Sequence, residues 1–218
     1  VSAIRSFDRL ARIYQALEYV AFGRALERAR FAHLDRLQNC RSILVTGEGD
    51  GRCLERLLRA APQATVDCLD LSPAMLARAS ARLAGQEAAA RVTFRQADLL
   101  TAVLPAAHYD AVVTLFFLDC FTALQMEVVM ARLHDSLEPG AVWLWADFNV
   151  PAQGLARLRA RLWLGVLYAF FRWQTGLPAR ELPPVESFFA AKRYEVLAER
   201  SFQQGLLRSV AWRRPKQM

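Results

Sequence analysis

Between residues 42 and 148 the chain alternates short, strongly apolar runs with segments of helical spacing, and this alternation constrains the fold more than any other feature. The first run, Ile43-Leu44-Val45, ends in Gly47-Glu48-Gly49-Asp50-Gly51, after which Leu54, Leu57 and Leu58 recur as on one helix face. A second run, Val66-Asp67-Cys68-Leu69, closes on Asp70. Leu71-Ser72-Pro73 then marks a helix start, because proline suits a first turn. Residues 91–95 and 109–117 read as a third and a fourth strand, and residues 123–137 as a helix. Glu138-Pro139-Gly140 reads as a turn into a fifth strand over residues 141–147. Parallel strands need a crossover, so strands alternating with helices at this spacing predict a parallel sheet with helices on both faces. The very apolar first and fourth runs suit central strands buried on both sides.

The flanks differ in texture. Residues 2–38 read as helical, with apolar positions Ile13, Leu17, Val20, Phe22, Leu26 and Ala29 and a break at Gly23. Residues 155–173 form a long helical pattern. A loop with Thr175-Gly176-Leu177-Pro178 and Pro183-Pro184 follows, then a short helix near residues 185–191 and strand-like runs at 194–202 and 205–212. Hydrophobic residues at 54% and charged residues at 22% exclude a disordered chain. Cys40, Cys53, Cys68 and Cys120 share no metal-ligand spacing with one another or with His33, His108 and His134. No zinc site or disulfide framework is expected, and reduced thiols suit a cytoplasmic setting. Arg5, Asp8, Arg9 and Arg12 interrupt any signal-peptide core. The longest apolar stretches, residues 111–118 and 162–171, fall short of the ~20 residues that span a bilayer.

The glycine loop stands where backbone must approach a ligand closely, at the carboxyl end of a parallel strand. Its spacing is G-x-G-x-G, one residue short of the dinucleotide fingerprint G-x-G-x-x-G, and Glu48 and Asp50 would repel a pyrophosphate. An acidic loop suits a cationic ligand. Asp70, at the end of the second strand, is placed to accept hydrogen bonds from ribose hydroxyls. Asp98, in Ala97-Asp98-Leu99 beyond the third strand, is placed to accept from an adenine amino group. An ordinary strand-to-helix turn at the glycines and an N-cap role for Asp70 are the plain alternatives. Asp110, at the start of the fourth strand, reads as structural.

Together, Ile43 through Gly51, Leu69-Asp70-Leu71-Ser72-Pro73-Ala74-Met75-Leu76, Ala97-Asp98-Leu99 and Tyr109-Asp110-Ala111-Val112-Val113 resemble the class I S-adenosylmethionine-dependent methyltransferases over roughly residues 43–148. The resemblance implies an α/β, Rossmann-like, doubly wound and mostly parallel seven-stranded sheet. With no internal repeat or linker along the chain, one domain is expected over residues 1–218: an N-terminal helical lid (1–41), a cofactor-binding core (42–150), and a lid helix with C-terminal strands (151–218). The resemblance also implies S-adenosyl-L-methionine as cofactor and S-adenosyl-L-homocysteine as product. Gly47, Gly49 and Gly51 would bound the methionine half and Asp70 the ribose. Leu71 and Met75 would pack near the adenine, with Asp98 and Leu99 beside its amino group, and Leu115 and Phe116 would border the sulfonium. Where the family usually has an acidic residue two positions before the first glycine, this chain has Val45. Glu48 or Asp50 is then the candidate for the missing negative charge.

Candidates for catalysis are few. Asp119 lies among Phe116, Phe117, Leu118 and Phe121, surroundings that raise a carboxyl pKa and suit a base or an orienting group. The alternative is an N-cap for the helix after Thr122. Tyr14, in Phe7-Asp8-Arg9-Leu10-Ala11-Arg12-Ile13-Tyr14, resembles the N-terminal lid of small-molecule and quinone-type methyltransferases, in which a tyrosine covers the cofactor. Asp147 and Asn149, after the fifth strand, are placed to reach an acceptor pocket. His33, His108 and His134 read as surface or helix residues rather than catalysts.

The net charge of +7 is unevenly spread. Residues 42–150 carry 8 basic and 13 acidic residues, whereas residues 151–218 carry 12 and 4. Of the 28 basic residues 26 are arginine, no nucleic-acid motif accompanies them, and none is expected to serve that purpose. The stripe Leu155, Leu158, Leu162, Val166, Phe170 and Trp173 is by default core. Trp163, Leu167, Tyr168 and Phe171 add apolar surface beyond one face. The expected acceptor is therefore a small hydrophobic molecule (lipid, quinone or polyketide-like), with anionic character, peripheral membrane contact and a homodimer as further expectations. The competing readings are an inactive binding or assembly factor on the same fold and, more weakly, an aminopropyltransferase.

Overall fold

β1 (Ser42–Thr46) and β4 (Tyr109–Leu115) lie side by side at the middle of a seven-stranded sheet of order β3-β2-β1-β4-β5-β7-β6. The computed structural model describes residues 24–151, 153–175 and 182–216. β2 (Thr65–Asp70), β3 (Val92–Gln96) and β5 (Leu137–Phe148) run parallel to this pair. β7 (Leu207–Arg213) enters antiparallel between β5 and β6 (Glu195–Phe202). The chain order reverses at β1, where β1 leads outward to β2 on one side and meets β4 on the other. That places a crevice at the carboxyl ends of β1 and β4, the usual ligand position in open parallel sheets.

Strand alternation sends side chains to opposite faces, and each face is covered. Ile43 and Val45 of β1, with Ala111 and Val113 of β4, pack against Leu54, Leu57 and Leu58 of α2 (Arg52–Ala60) and Leu76 and Leu83 of α3 (Pro73–Leu83), with α1 (Ala25–Arg30) preceding them in the chain. Leu44 and Val112 face Met126, Val129, Met130 and Leu133 of α4 (Ala123–Ser136), together with Trp143 and Trp145 of β5. The same core takes in Phe189, whose ring stacks on Trp212 at 4.5 Å, from α6 (Val185–Ala191), the element after α5 (Gly154–Thr175). Each such leucine or methionine, fully removed from water, stabilises the fold by ~1.5–3 kcal/mol. A third cluster joins Leu26 and Ala29 of α1 to Ala160 and Leu164 of α5 through Phe148, Leu206 and Leu207. α1 and α5 thus flank the carboxyl end of β5.

The element boundaries correct the sequence reading in places. The fourth strand ends at Leu115 rather than at residue 117, because Phe116 adopts φ +54° and turns the chain, although its N–H still donates to Ala146 O at 2.7 Å. Glu138-Pro139-Gly140 is not a separate turn: α4 passes straight into β5, and the register with β4 shifts between Tyr109 and Ala111 to absorb it. The N-terminal helical pattern does not run unbroken to residue 38, since α1 stops at Arg30 and a 3₁₀ turn, Leu34–Leu37, replaces it. His33 is buried, not superficial, and its Nε2 lies 3.1 Å from Ser209 O. Asp110 does what its position suggests, accepting the N–H groups of Arg41 (2.6 Å) and Ser42 (3.1 Å) at the entry to β1. No helix among the described residues is long and apolar enough to cross a membrane.

Candidate active site at the carboxyl edge of the sheet

Gly47, Gly49 and Gly51 all take positive φ, and their surroundings divide the labour. At Gly51 a Cβ would stand 2.7 Å from Ala79 Cα, so its absence lets α2 and α3 close on each other. At Gly47 a Cβ would strike the Phe117 ring at 2.2 Å. Gly49 meets nothing within 4 Å, and it is here that the loop leaves room for a ligand. Gly47 N–H donates to Leu69 O at 2.9 Å, which ties the loop to the end of β2.

The two acidic loop residues have different fates. Asp50 pairs with Arg52 at 3.0 Å and Arg82 at 3.1 Å, and Arg52 reaches on to Glu27 of α1 at 3.1 Å. Its charge is therefore already matched, and it pins the loop to α3. Glu48 accepts the Leu54 N–H at 2.9 Å, satisfying one of the donors left open in the first turn of α2. Burial pushes its carboxyl up to about 7, with the Leu54 N–H and the Arg30 guanidinium opposing that shift.

A narrow cleft opens beside Glu48, lined also by Val45, Val113, Leu115 and Arg30. Arg30 is a residue that sequence reasoning missed. Its guanidinium sits 5.2 Å from the centre of the Phe116 ring, and its charge acts on both Glu48 and Asp119. Nothing in the sequence sets Arg30 apart from Arg24 or Arg28, because only the packing of α1 against β5 and β7 brings it here. Thr46, at the end of β1, carries a buried hydroxyl with no hydrogen-bond partner.

Asp70 lies at the end of β2, where its Oδ1 accepts the Ser72 N–H at 2.9 Å. Burial raises its pKa, while N–H groups of Ser72, Gly49 and Leu71 favour its charged form. It does not cap α3, since Ser72 Oγ accepts the Met75 N–H at 3.2 Å in that role. Asp98 is half-buried and accepts the Leu100 N–H at 2.9 Å, and Ala97 N–H donates to Asp70 O at 3.1 Å, joining the ends of β2 and β3. Met75 is half-buried and Leu71 is 45% exposed, whereas Leu99 and Leu115 are buried in the two cores.

Asp119 stands in a 3₁₀ turn, Leu118–Cys120, directly after β4. The cap of α4 is Thr122, which forms a reciprocal capping box with Gln125, so Asp119 is not spent there. Burial pushes the Asp119 carboxyl up to about 6. Its backbone N–H donates to Asp147 Oδ2 at 3.2 Å, which brings a second acid from the end of β5 to the same turn. The structure keeps Asn149 outside this cluster, its side chain donating to Gly205 O at 2.8 Å. His134 lies far round the sheet, where its Nδ1 is 2.9 Å from the Tyr194 hydroxyl. Tyr14 lies outside the described residues. Among the described residues, no group of three or more His, Cys, Asp or Glu side chains could hold a metal ion.

Comparison with known proteins agrees with the fold. Residues 43–140 match a family described as a methyltransferase domain. An uncharacterized methyltransferase of Mycobacterium tuberculosis is 32% identical over 149 residues, spanning 65% of this chain and 70% of that protein. Among solved structures, N-methyltransferase NodS from Bradyrhizobium japonicum in complex with S-adenosyl-L-homocysteine superposes with a TM-score of 0.67 at 17% identity, covering 99% of this chain and 100% of NodS. An O-methyltransferase family protein from Burkholderia thailandensis gives 0.66 at 21% identity and 97% of this chain, which spans only 59% of that protein. With its sheet order, its acidic glycine loop and this curated relative, the chain belongs to the class I S-adenosylmethionine-dependent methyltransferases.

Proposed function

We propose that this protein transfers the methyl group of S-adenosylmethionine to a small apolar acceptor through an oxygen or nitrogen nucleophile. The observation that carries the apolar part is α5. Among the described side chains of this helix, Ala160 and Leu164 pack against Phe148, Leu206 and Leu207. Its outer stripe stays in solvent, with Leu155 86%, Leu162 65% and Val166 64% exposed. A helix apolar on both sides is one that meets a second apolar body. Here it packs on Phe148, at the carboxyl end of β5.

The cleft chemistry suits the cofactor. Its methionine end is a zwitterion, and Glu48 and Arg30 offer it one charge of each sign. The open space at Gly49 fits the methionine half, and the Asp70 carboxylate and the unpartnered Thr46 hydroxyl fit the adenosyl side. When bound, S-adenosylmethionine supplies an electrophilic methyl carbon on a sulfonium. Glu48 would hold the ammonium, Arg30 the carboxylate and Asp70 the ribose, with Asp98, Leu99, Leu71 and Met75 around the adenine and Leu115 and Phe116 beneath the reacting carbon. Phe116 suits that place: holding a bulky residue at φ +54° costs ~1–2 kcal/mol, a strain typical of functional turns. Positioning alone accounts for much of the rate of such transfers.

The test is a panel of phenolic, quinol, amine and fatty-acid acceptors incubated with protein and S-adenosylmethionine, with methylated product read by mass spectrometry. Transfer to apolar members and not to polar isosteres is expected. Cofactor binding without transfer to any acceptor would instead favour a binding or assembly role. Arg157, Arg159 and Arg161 border the exposed stripe, which suits an anionic acceptor or an anionic lipid surface. Co-sedimentation with phosphatidylglycerol vesicles, but not with phosphatidylcholine vesicles, is the result expected if the stripe meets lipid.

A further inference from the structure

Asp147 and Asp119 are the two carboxyl groups of the sheet's carboxyl edge that cofactor binding leaves unassigned. Asp147 is 2% exposed. Its Oδ1 accepts the Phe148 N–H at 2.9 Å, and its Oδ2 accepts the Asp119 N–H at 3.2 Å. The buried Trp145 indole N–H lies near enough to favour the charged form of Asp147. Asp119 is half-buried above it, and the Cys120 thiol donates to Asp119 Oδ1 at 3.6 Å.

Other charges reach the pair from each neighbouring element. Arg30 of α1 acts on Asp119, and Asp70 at the end of β2 acts on the adjoining Cys120 thiol. Arg208 of β7 is opposite Asp147 in register, but its guanidinium is committed to Glu186 and Glu199. The buried acid thus has an anionic neighbour and no ion pair of its own among these contacts. Two carboxyl groups in such a place do not both ionise easily, because burial and like charge both oppose the second ionisation. Burial, and then the Asp119 charge, push Asp147 well above the ordinary carboxyl range.

We propose that Asp119 and Asp147 act as a pair holding one proton, with protonated Asp147 as the positioning residue and Asp119 as the base for the acceptor. The pair rests on the methyl-transfer reading only in its last step, which requires an acceptor with a dissociable O–H or N–H. In that step the acceptor's bond to hydrogen breaks and the proton passes to an Asp119 oxygen. The freed electron pair forms the bond to the methyl carbon. The carbon–sulfur bond breaks with its electrons left on sulfur, giving S-adenosylhomocysteine, and Asp119 later returns the proton to solvent. Asp147 contributes by fixing the turn through the Asp119 N–H and by staying neutral, so that Asp119 carries the pair's one negative charge and can accept a proton near neutral pH.

Isotope-edited infrared spectroscopy of protein carrying ¹³C-labelled aspartate tests the pair without any acceptor. A protonated-carboxyl band at pH 7 is expected in the wild type. It should persist in Asp119→Asn and disappear in Asp147→Asn. Absence of the band in the wild type overturns the pair, whatever the acceptor. With an acceptor in hand, Asp119→Asn should lower kcat by ~10²–10⁴-fold while S-adenosylhomocysteine affinity is kept. The acid limb of the wild-type rate profile should fall near pH 6 and stay there in Asp147→Asn, whose amide is neutral like the protonated acid; a limb that moves lower in this variant would mean that Asp147 is ionised in the wild type and overturns the pair. Undiminished kcat in Asp119→Asn overturns its role as base. Failure of the wild type to methylate any acceptor would sink the proposed function, but the infrared result would still decide the pair.

Discussion

Replacing Glu48 with glutamine separates its structural role from its charge. Glutamine keeps an oxygen that can accept the Leu54 N–H, so the cap on α2 survives, but it cannot titrate. Burial raises the Glu48 carboxyl from 4.5 to about 7, so the native state binds its proton more tightly than the unfolded chain does. The stability this confers is complete below about pH 4.5 and is lost as pH rises through 7. At ~1.36 kcal/mol per pH unit the full span amounts to ~3 kcal/mol, an upper bound for a half-buried group. For a chain of this size each kcal/mol moves Tm by about 2–4 °C. Thermal unfolding of wild type and Glu48→Gln, without cofactor, should give similar Tm at pH 5. The variant should gain several degrees over the wild type by pH 8. A difference that stays constant with pH, or a variant less stable at pH 8, would refute the argument that a desolvated carboxylate strains this loop. The same variant should bind S-adenosylmethionine more weakly, because the charge that destabilises the empty loop is the one offered to the ammonium.

The glycines give a second contrast. Gly51→Ala drives a Cβ into the backbone of α3 at φ +85° and should cost more than ~2 kcal/mol in denaturant unfolding, whereas Gly49→Ala, facing open space, should cost ~1 kcal/mol and chiefly weaken S-adenosylhomocysteine binding. Asp70→Ala should lower that affinity by roughly tenfold or more in calorimetric titration, with Tm shifted only by the loss of the Ser72 N–H bond; unaltered affinity would remove Asp70 from the site. Ser72→Ala removes the cap of α3 and should destabilise by ~1 kcal/mol in chemical unfolding, with cofactor affinity little changed if α3 keeps its place.

The strand and helix pattern was legible because burial leaves a local imprint. β1 and β4 lie buried on both faces and read as unbroken apolar runs, while α6 emerges over the very residues, 185–191, whose spacing suggested it. Boundaries failed where a local signal met a tertiary contact. Phe116 and Phe117 look like more strand, yet one turns toward Arg30 and Phe148 and the other covers Gly47. Proline and glycine at 139 and 140 look like a turn, yet pairing with Tyr109 draws Leu137 into β5.

Asp70, Asp98 and the glycine loop could be read as ligand-facing because each follows a strand, and in a parallel sheet strand ends gather at one edge. That much is a property of order along the chain. Which acid keeps a usable charge is not. Asp50 and Glu48 are two residues apart and equivalent on paper, but Arg82, 32 residues on from Asp50, claims one of them while α2 donates a hydrogen bond to the other. Arg30 and Asp147 reach the same edge from separations of tens of residues, through packing of α1 and pairing of β5 that carry no local mark. The parallel sheet and its glycine loop are legible along the chain, because hydrophobic period and backbone permissiveness are written residue by residue, and the cofactor class followed from the resemblance of the motifs to a known family. The electrostatics of the site emerge with packing, because the energy of a charge depends on its distance in space to other charges and to water.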